Sequence, residues 1–283
     1  MAMNLALSDP CREDARFVSS PMHPWIIAAL LGLIEGLTEF LPVSSTGHLL
    51  IAEHWLGAQT QLFNVVIQPA AALALLPIFW TKLTRIALNL GEPRNKDLVL
   101  KLAAAFGVTV IGGLIMKKMH VTLPKEIGPV AWATLIGGFV IILIELTNRG
   151  RAMTDSVSWT IAIAFGLAQL IAIAFPGASR SGTTIMLAMV LGLTRPAATE
   201  FSFLLGIPTL FAAGAKELKD ALEEAHSSID WASLGIGALC SFISAFIVVK
   251  WLITFVKTHT FTGLAVYRIV LGAALLFLIA RGW

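Results

Sequence analysis

Two carboxylates lie four residues apart inside an apolar stretch near the N-terminus, Glu35 and Glu39. Residues at this spacing share one face of a helix. An ionised carboxylate within a membrane helix costs about 2.5–3.5 kcal/mol when nothing compensates it, and two neighbouring carboxylates also repel each other. The pair therefore has to face water or find a cation. A divalent metal held by Glu35 and Glu39, or the guanidinium of Arg180, would supply that cation.

A polar segment interrupted by proline follows the carboxylates: Pro42-Val43-Ser44-Ser45-Thr46-Gly47-His48. Ser44 and Ser45 are both suited to cap a helix that starts after the proline. A helix N-terminus with free N–H groups and flanking hydroxyls binds anions. A second segment, Pro176-Gly177-Ala178-Ser179-Arg180-Ser181-Gly182-Thr183, repeats the design and adds an arginine that can grip phosphate oxygens. We therefore predict a phosphate or diphosphate site where the two helix ends meet. Its candidate ligands are Ser44, Thr46, Ser179, Arg180, Ser181 and Thr183.

Ser45 and His48 are three residues apart, so one helical turn brings them together as a nucleophile and its proton partner. In the mechanism that we favour, Ser45 attacks phosphorus and His48 handles the proton. Glu35 and Glu39 bind the metal, or one of them acts as a base, and Arg180 holds the phosphate. An alternative has His48 as the nucleophile and Ser45 as a phosphate ligand.

The composition places these residues in a membrane. Apolar types make up 57% of the chain and charged types 13%, against about 45–50% and about 25% in soluble domains. This excess predicts a polytopic membrane protein and excludes disorder. Two cysteines exclude a disulfide scaffold, and continuous apolar runs disfavour a β-barrel. A net charge of +3 without a basic cluster disfavours nucleic-acid binding.

The apolar runs predict an all-α polytopic membrane protein with six transmembrane helices and two re-entrant helix hairpins. Two runs, 24–52 and 158–193, are too long for one span and are interrupted midway by the polar segments. Irregular backbone at membrane depth needs protein or water around it, so each interrupted run is expected to form a hairpin. The six spans are expected at about 62–80, 99–115, 129–147, 201–214, 232–256 and 264–281.

The two interrupted runs also resemble each other and predict an inverted-topology repeat. Without a gap, the alignment pairs Gly32 with Gly166, Glu35 with Gln169, Pro42 with Pro176 and Ser45 with Ser179. A few residues beyond, Leu56-Gly57 matches Leu191-Gly192 with a shift of one residue. Each run precedes three spans, and an odd number places the second hairpin on the opposite face. The predicted organisation is an N-terminal extension (1–23), a first repeat (24–157) and a second repeat (158–283).

Three further predictions concern charges outside the two motifs. Lys and Arg in the loops divide evenly between the two sides, so the positive-inside rule gives no orientation. Glu145, at the end of a run, is expected at the membrane interface. Tyr267 and Arg268 lie a few residues into the last run, where a structural role and a role in supporting the site are both open.

The two polar segments and their flanking residues resemble a known family. The segments 35–48 and 176–184 are similar to the two signature motifs of the bacterial undecaprenyl pyrophosphate phosphatases of the bacitracin-resistance type. The segment 200–205 and the pair Tyr267-Arg268 resemble that family as well. The sequence departs from the family pattern at Pro69-Ala70-Ala71, where a Leu-Gly pair and a small residue are usual.

The resemblance implies a bacterial inner-membrane enzyme whose site opens toward the periplasm. It implies cleavage of undecaprenyl diphosphate to the monophosphate and inorganic phosphate, which recycles a lipid carrier of peptidoglycan synthesis. The implied cofactor is a divalent cation, Mg²⁺ or Ca²⁺. The expected partners are the polyprenyl diphosphate lipid and the bilayer, with no nucleic acid and with a homodimer left open. The alternative function is a lipid-phosphate flippase built on the same repeat, since such repeats are a transporter architecture.

Overall fold

The chain folds almost entirely into α-helices. The computed structural model describes residues 22–119, 127–223 and 229–282, so the predicted extension 1–23 lies almost wholly outside the described residues. Over these ranges the only β-pairing is one isolated bridge between Thr154 and Leu193. The helices are α1 (Pro24–Thr38), α2 (Ser45–Leu56), α3 (Gln61–Leu73), α4 (Leu75–Ile78), α5 (Trp80–Leu88), α6 (Pro93–Lys118), α7 (Ile127–Thr147), α8 (Trp159–Ala174), α9 (Arg180–Val190), α10 (Arg195–Glu223), α11 (Trp231–Thr258) and α12 (Thr262–Ala280).

Six helical segments of the described chain are long and apolar enough to cross a membrane, which confirms the predicted number of spans. At a rise of 1.5 Å per residue, about 20 apolar residues cover a hydrocarbon core about 30 Å thick. The segments are Gln61–Ile78, which joins α3 and α4, and the single helices α6, α7, α10, α11 and α12. The protein is therefore a multi-pass membrane protein. Helices α1 and α8 are apolar but shorter.

Two breaks follow the short apolar helices. The first break, residues 39–44, separates α1 from α2, and the second break, residues 175–179, separates α8 from α9. Each contains a proline, Pro42 or Pro176. Proline lacks an N–H group and disfavours helical geometry in the residue before it. The interruptions therefore lie in the polar segments that the sequence predicts, with α8 ending just before Pro176 and α1 ending at Thr38, ahead of Pro42.

Each break ends in a serine that caps the next helix. Ser44 has φ 74° and Ser179 has φ 72°, a left-handed conformation that is uncommon outside glycine. Their Oγ atoms accept hydrogen bonds from the N–H groups of Gly47 at 3.3 Å and Gly182 at 3.1 Å. Of the two serines suited to cap α2, Ser44 is therefore the cap, and Ser45 is the first helical residue.

The short apolar helices pack closely against long spans. Helix α1 lies along α11 and α8 lies along α6. A Cβ on Gly32 would come within 2.2 Å of the Gly237 carbonyl oxygen, and one on Gly166 within 2.5 Å of the Ala105 carbonyl oxygen. Small residues let helix backbones approach in this way, which raises dispersion contact where no hydrophobic effect operates between helices.

The buried core lies between the breaks and α10. Phe40 of the first break and Phe203 of α10 are fully buried and pack edge to face, with ring centroids 5.1 Å apart. Helix α7 packs along α12, and α3 packs against both α10 and α11. Pro69, part of the unusual segment noted in the sequence, lies inside α3, where its ring faces Gly214 of α10. The first break thus packs against α10, within a set of closely packed long helices.

An ion pair between Glu145 and Arg195 joins three elements of the fold. Glu145 lies in the last turn of α7 and is only 2% exposed. Arg195 donates from Nε to Glu145 Oε1 at 2.8 Å and from Nη2 to Oε2. The N–H of Phe261, between α11 and α12, donates to the same Oε1 at 2.8 Å. The carboxylate therefore fixes α7, α10 and the α11–α12 turn together.

We expect Glu145→Ala to lower the free energy of unfolding by about 1–3 kcal/mol, because the buried Phe261 N–H loses its acceptor and Arg195, whose side chain is 30% exposed, loses its partner. The measurement is unfolding in mixed detergent micelles followed by circular dichroism. The matched control is Glu223→Ala, whose partner Lys219 is 3.6 Å away in an exposed pair. That pair contributes about 0–1 kcal/mol, so equal losses for the two variants would contradict the prediction.

Candidate active site

The two breaks touch each other inside the protein. Ser181 Oγ, at the start of α9, donates to the carbonyl oxygen of Leu41 in the first break at 2.9 Å. Ser179 Oγ lies 3.4 Å from the same oxygen. The N-termini of α2 and α9 are therefore neighbours, the arrangement that favours an anion between them.

The Glu39 carboxylate connects the two breaks. Ser45 Oγ donates to Glu39 Oε2 at 2.8 Å. Arg180 donates to Oε1 from Nη2 at 3.2 Å and lies 3.4 Å from it through Nε. The side chains of Glu39 and Arg180 are only 7% and 13% exposed, so water screens the pair little. One carboxylate thus holds a hydroxyl from α2 and a guanidinium from α9, each on the first residue of its helix.

Arg180 is held in place by groups from the first break and from α10. Its Nη1 lies 3.5 Å from the carbonyl oxygen of Ser202 in α10, within the family-like segment 200–205, and its guanidinium lies over the Phe40 ring. A Cβ on Gly206 would come within 2.6 Å of Nη1. Helix α10 therefore shapes the arginine pocket through a backbone carbonyl and a glycine, whose roles the residue types alone do not reveal.

Glu35 is the one carboxylate at the site that no protein group satisfies. It is fully buried, and neither of its carboxylate oxygens has a hydrogen-bond partner among the described residues. It interacts electrostatically with Glu39 and Arg180. A buried carboxylate without partners is costly, so this position suits a bound cation or a proton.

The residues fit a divalent metal. Among the described residues, no group of three or more His, Cys, Asp or Glu side chains is arranged to hold a metal ion. Magnesium is commonly bound through one or two carboxylates, with phosphate oxygens and water completing its shell. Glu35 with Glu39 supplies such a set, beside helix ends suited to phosphate.

His48 is bound on both sides of its ring. Nδ1 lies 2.7 Å from the Ser44 carbonyl oxygen, so Nδ1 carries a proton, because a carbonyl can only accept. Nε2 lies 2.5 Å from the Tyr267 hydroxyl of α12, and the two rings stack. The structure pairs Ser45 with Glu39 and does not pair it with His48.

The remaining predicted phosphate ligands divide into two groups. Ser44 and Ser179 cap their helices, Ser181 binds the first break, and Thr183 Oγ1 donates to the Ser179 carbonyl at 3.0 Å. Thr46 is exposed, and its side chain forms no hydrogen bond among the described residues. The capping hydroxyls thus shape the helix ends, while Thr46 keeps its hydroxyl for an anion.

The structure corrects the ungapped alignment of the two halves. That alignment pairs Ser45 with Ser179, but the cap with positive φ is Ser44 in one half and Ser179 in the other. The second break therefore has one residue more between its proline and its serine than the first break has, so Ser45 corresponds to Arg180. The same shift aligns the left-handed glycines Gly57 and Gly192.

A family model described as "Bacitracin resistance protein BacA" matches residues 28–274, which include both breaks and every predicted site residue. The chain belongs to the BacA family. An undecaprenyl-diphosphatase of Rhizobium leguminosarum bv. trifolii is 49% identical over 261 residues, 91% of this chain and 98% of that protein. One of Xanthomonas oryzae pv. oryzae is 50% identical over 257 residues, 90% of this chain and 97% of that protein. The resemblance inferred from the motifs is thereby confirmed, and in this BacA family chain those motifs form the two breaks.

We expect Ser44→Ala to lower the free energy of unfolding by about 1 kcal/mol, because α2 loses its cap, and Ser44→Gly by only a few tenths. Glycine also adopts a positive φ without strain. Unfolding in mixed micelles measures both. Thr46→Ala is the control, since Thr46 is exposed on the first turn of α2. Equal losses for the alanine and glycine variants of Ser44 would show that Ser44 does not act as the cap.

Proposed function

We propose that this chain hydrolyses undecaprenyl diphosphate to undecaprenyl phosphate and inorganic phosphate, which recycles the lipid carrier of peptidoglycan synthesis. The observation that carries the proposal is the Glu39 carboxylate, shared between the Ser45 hydroxyl at 2.8 Å and the Arg180 guanidinium at 3.2 Å, where two helix N-termini meet. A hydroxyl bonded to a base beside an anion site is the minimal apparatus for phosphoryl transfer. The curated relatives, named undecaprenyl-diphosphatase, support the choice of substrate.

In the proposed mechanism the terminal phosphate sits against the N-termini of α2 and α9, with Arg180 binding its oxygens. Ser45 Oγ attacks the terminal phosphorus and its proton passes to Glu39. The bond to the bridging oxygen breaks, and the electron pair leaves with the lipid monophosphate. Water then attacks the phosphorus of the phosphoserine, and the ester bond to Ser45 Oγ breaks. Glu39 returns the proton to Ser45 Oγ, so inorganic phosphate is released and both side chains are restored. His48, one turn along α2, is the candidate for exchanging a proton with the leaving group.

The geometry favours Ser45 over His48 as the nucleophile. Both ring nitrogens of His48 are engaged, one by the Ser44 carbonyl and one by the Tyr267 hydroxyl. Ser45 instead has its hydroxyl on a carboxylate and lies at the N-terminus of α2, where negative charge is stabilised. Isolating a phosphorylated enzyme and locating the phosphate by mass spectrometry distinguishes the two.

We assign the divalent cation, Mg²⁺ or Ca²⁺, to Glu35 and Glu39, with Glu35 as the charged ligand that remains when Glu39 takes the proton of Ser45. When bound there, the cation would neutralise charge on the diphosphate oxygens. The support for this assignment is the buried Glu35 carboxylate, which lacks protein partners among the described residues.

For the membrane arrangement we propose two re-entrant hairpins, α1–α2 and α8–α9, in an inverted repeat of residues 24–157 and 158–283. Several paired features support it: α1 lies on α11 as α8 lies on α6, and α7 pairs with its counterpart α12. Both hairpins turn at a serine with positive φ. From the family we further propose the inner membrane, with the site open to the periplasm and with one or two copies of the chain.

The deciding experiment measures phosphate release from undecaprenyl diphosphate by the purified protein in detergent with Mg²⁺. We expect Ser45→Ala to lower kcat by roughly 1,000-fold or more, because the nucleophile is lost. Ser156→Ala, an exposed serine outside the site, is the control and should keep full activity. A wild-type protein that moved the labelled lipid between leaflets without releasing phosphate would be a flippase instead, and would overturn the proposal.

The metal assignment has its own test. Removing divalent cations with a chelator should abolish activity, and adding Mg²⁺ should restore it. We expect Glu35→Gln to raise the Mg²⁺ concentration for half-maximal activity by about 10-fold or more, because a charged ligand is lost. The second half of the chain already places an amide, Gln169, at the matching buried position, so the variant should fold. An unchanged Mg²⁺ dependence would remove Glu35 from the metal site.

A further inference from the structure

Arg268 of α12 is a buried cation without an anionic partner. It is only 1% exposed and is the largest fully buried side chain of the described residues. No carboxylate in the described chain forms an ion pair with it. A charge removed from water within a membrane protein needs strong compensation. The groups that contact the Arg268 guanidinium therefore indicate its role.

Five backbone carbonyls compensate the guanidinium. Nη1 donates to Pro42 at 3.0 Å and to Ala178 at 3.1 Å. Nη2 donates to Gly177 at 3.1 Å and to Ala133 at 3.2 Å, while Nε donates to the Thr134 carbonyl at 3.2 Å. An arginine has five N–H donors, and all of them are used here.

These carbonyls come from three separate segments. Pro42 lies in the first break, Gly177 and Ala178 lie in the second break, and the other two carbonyls belong to α7. A single nitrogen, Nη1, therefore bridges the two breaks directly. Because Glu39 belongs to the first break and Arg180 directly follows the second, the position of Arg268 governs how these two side chains meet.

Two glycines leave room for the guanidinium. A Cβ on Gly137 of α7 would come within 2.1 Å of Nη2, a distance that no contact tolerates. A Cβ on Gly182, in the first turn of α9, would come within 3.2 Å of Nη1. The guanidinium thus lies directly against the N-terminal turn that the proposed function assigns to phosphate binding.

We propose that Arg268 is a positioning residue that holds the two breaks in register, so that the Ser45–Glu39 pair of one half meets Arg180 of the other. This proposal rests on the proposed function. Arg268 acts through the backbone and does not touch the substrate. Lysine cannot replace it, because an ammonium has three donors on a single nitrogen and cannot span five carbonyls. A misplacement of about 1 Å at such a site can cost about 100-fold in rate.

The first test compares Arg268→Met, Arg268→Lys and wild type for phosphate release. We expect kcat to fall by about 100-fold or more in both variants, with KM changed by less than about threefold, because Arg180 and the helix ends still bind phosphate. Either variant retaining kcat within about threefold of wild type would overturn the proposal.

The second test displaces the guanidinium without altering it. Gly137→Ala places a methyl group against Nη2, and the matched control is Gly113→Ala in α6, where the added Cβ meets no other atom within 4 Å. We expect Gly137→Ala to reproduce the loss in kcat and Gly113→Ala to leave kcat unchanged. Full activity in Gly137→Ala would contradict the proposal. This test remains decisive even when Arg268→Met fails to fold.

The third test is independent of activity. Amide hydrogen exchange in the intact protein, measured by mass spectrometry, should accelerate at residues 39–44 and 175–179 in Arg268→Lys and in Gly137→Ala, while α3, α6 and α11 keep wild-type protection. Faster exchange throughout the spans, or at one break only, would show a general structural role and overturn the proposal. If the wild-type protein released no phosphate while the two variants showed the expected exchange pattern, the proposed function would be refuted and the positioning role would stand.

Discussion

The Glu39–Arg180 ion pair is the contact on which the site depends, because it joins charged groups from two halves of the chain inside a membrane protein. Neither charge is tolerable alone at this depth, and each is largely buried in the structure. The pair exists only if both breaks reach the same point. The close packing of α1 on α11 and of α8 on α6 brings them there.

The breaks expose backbone groups that a continuous helix would satisfy internally, and the protein uses them as functional surface. Carbonyls of the breaks accept hydrogen bonds from the Arg268 guanidinium, while the proposed phosphate site uses the N-termini of α2 and α9. In a medium without water every such group needs a partner. The proposed phosphate site and the buried arginine are thus two responses to the same constraint.

Much of the fold follows from the linear pattern of the sequence. The length of the apolar runs gives six spans, and Pro42 and Pro176 locate the breaks because proline interrupts helical hydrogen bonding. The two motifs also suffice to recognise the BacA family. The alignment of the halves paired Ser45 with Ser179, whereas Ser44 and Ser179 are the matching caps, because the extra residue lies in a turn where no periodic pattern marks it.

By itself the sequence determined which side chains are costly in a membrane, Glu35, Glu39 and Arg180, since that cost depends on residue type and on the apolar surroundings alone. Only the tertiary structure decided the pairing: Ser45 with Glu39, His48 with Tyr267, and Arg268 with carbonyls from both breaks. These partners lie up to 226 residues apart. Their meeting depends on helix packing through glycines, which leaves no signature in the spacing of charged residues.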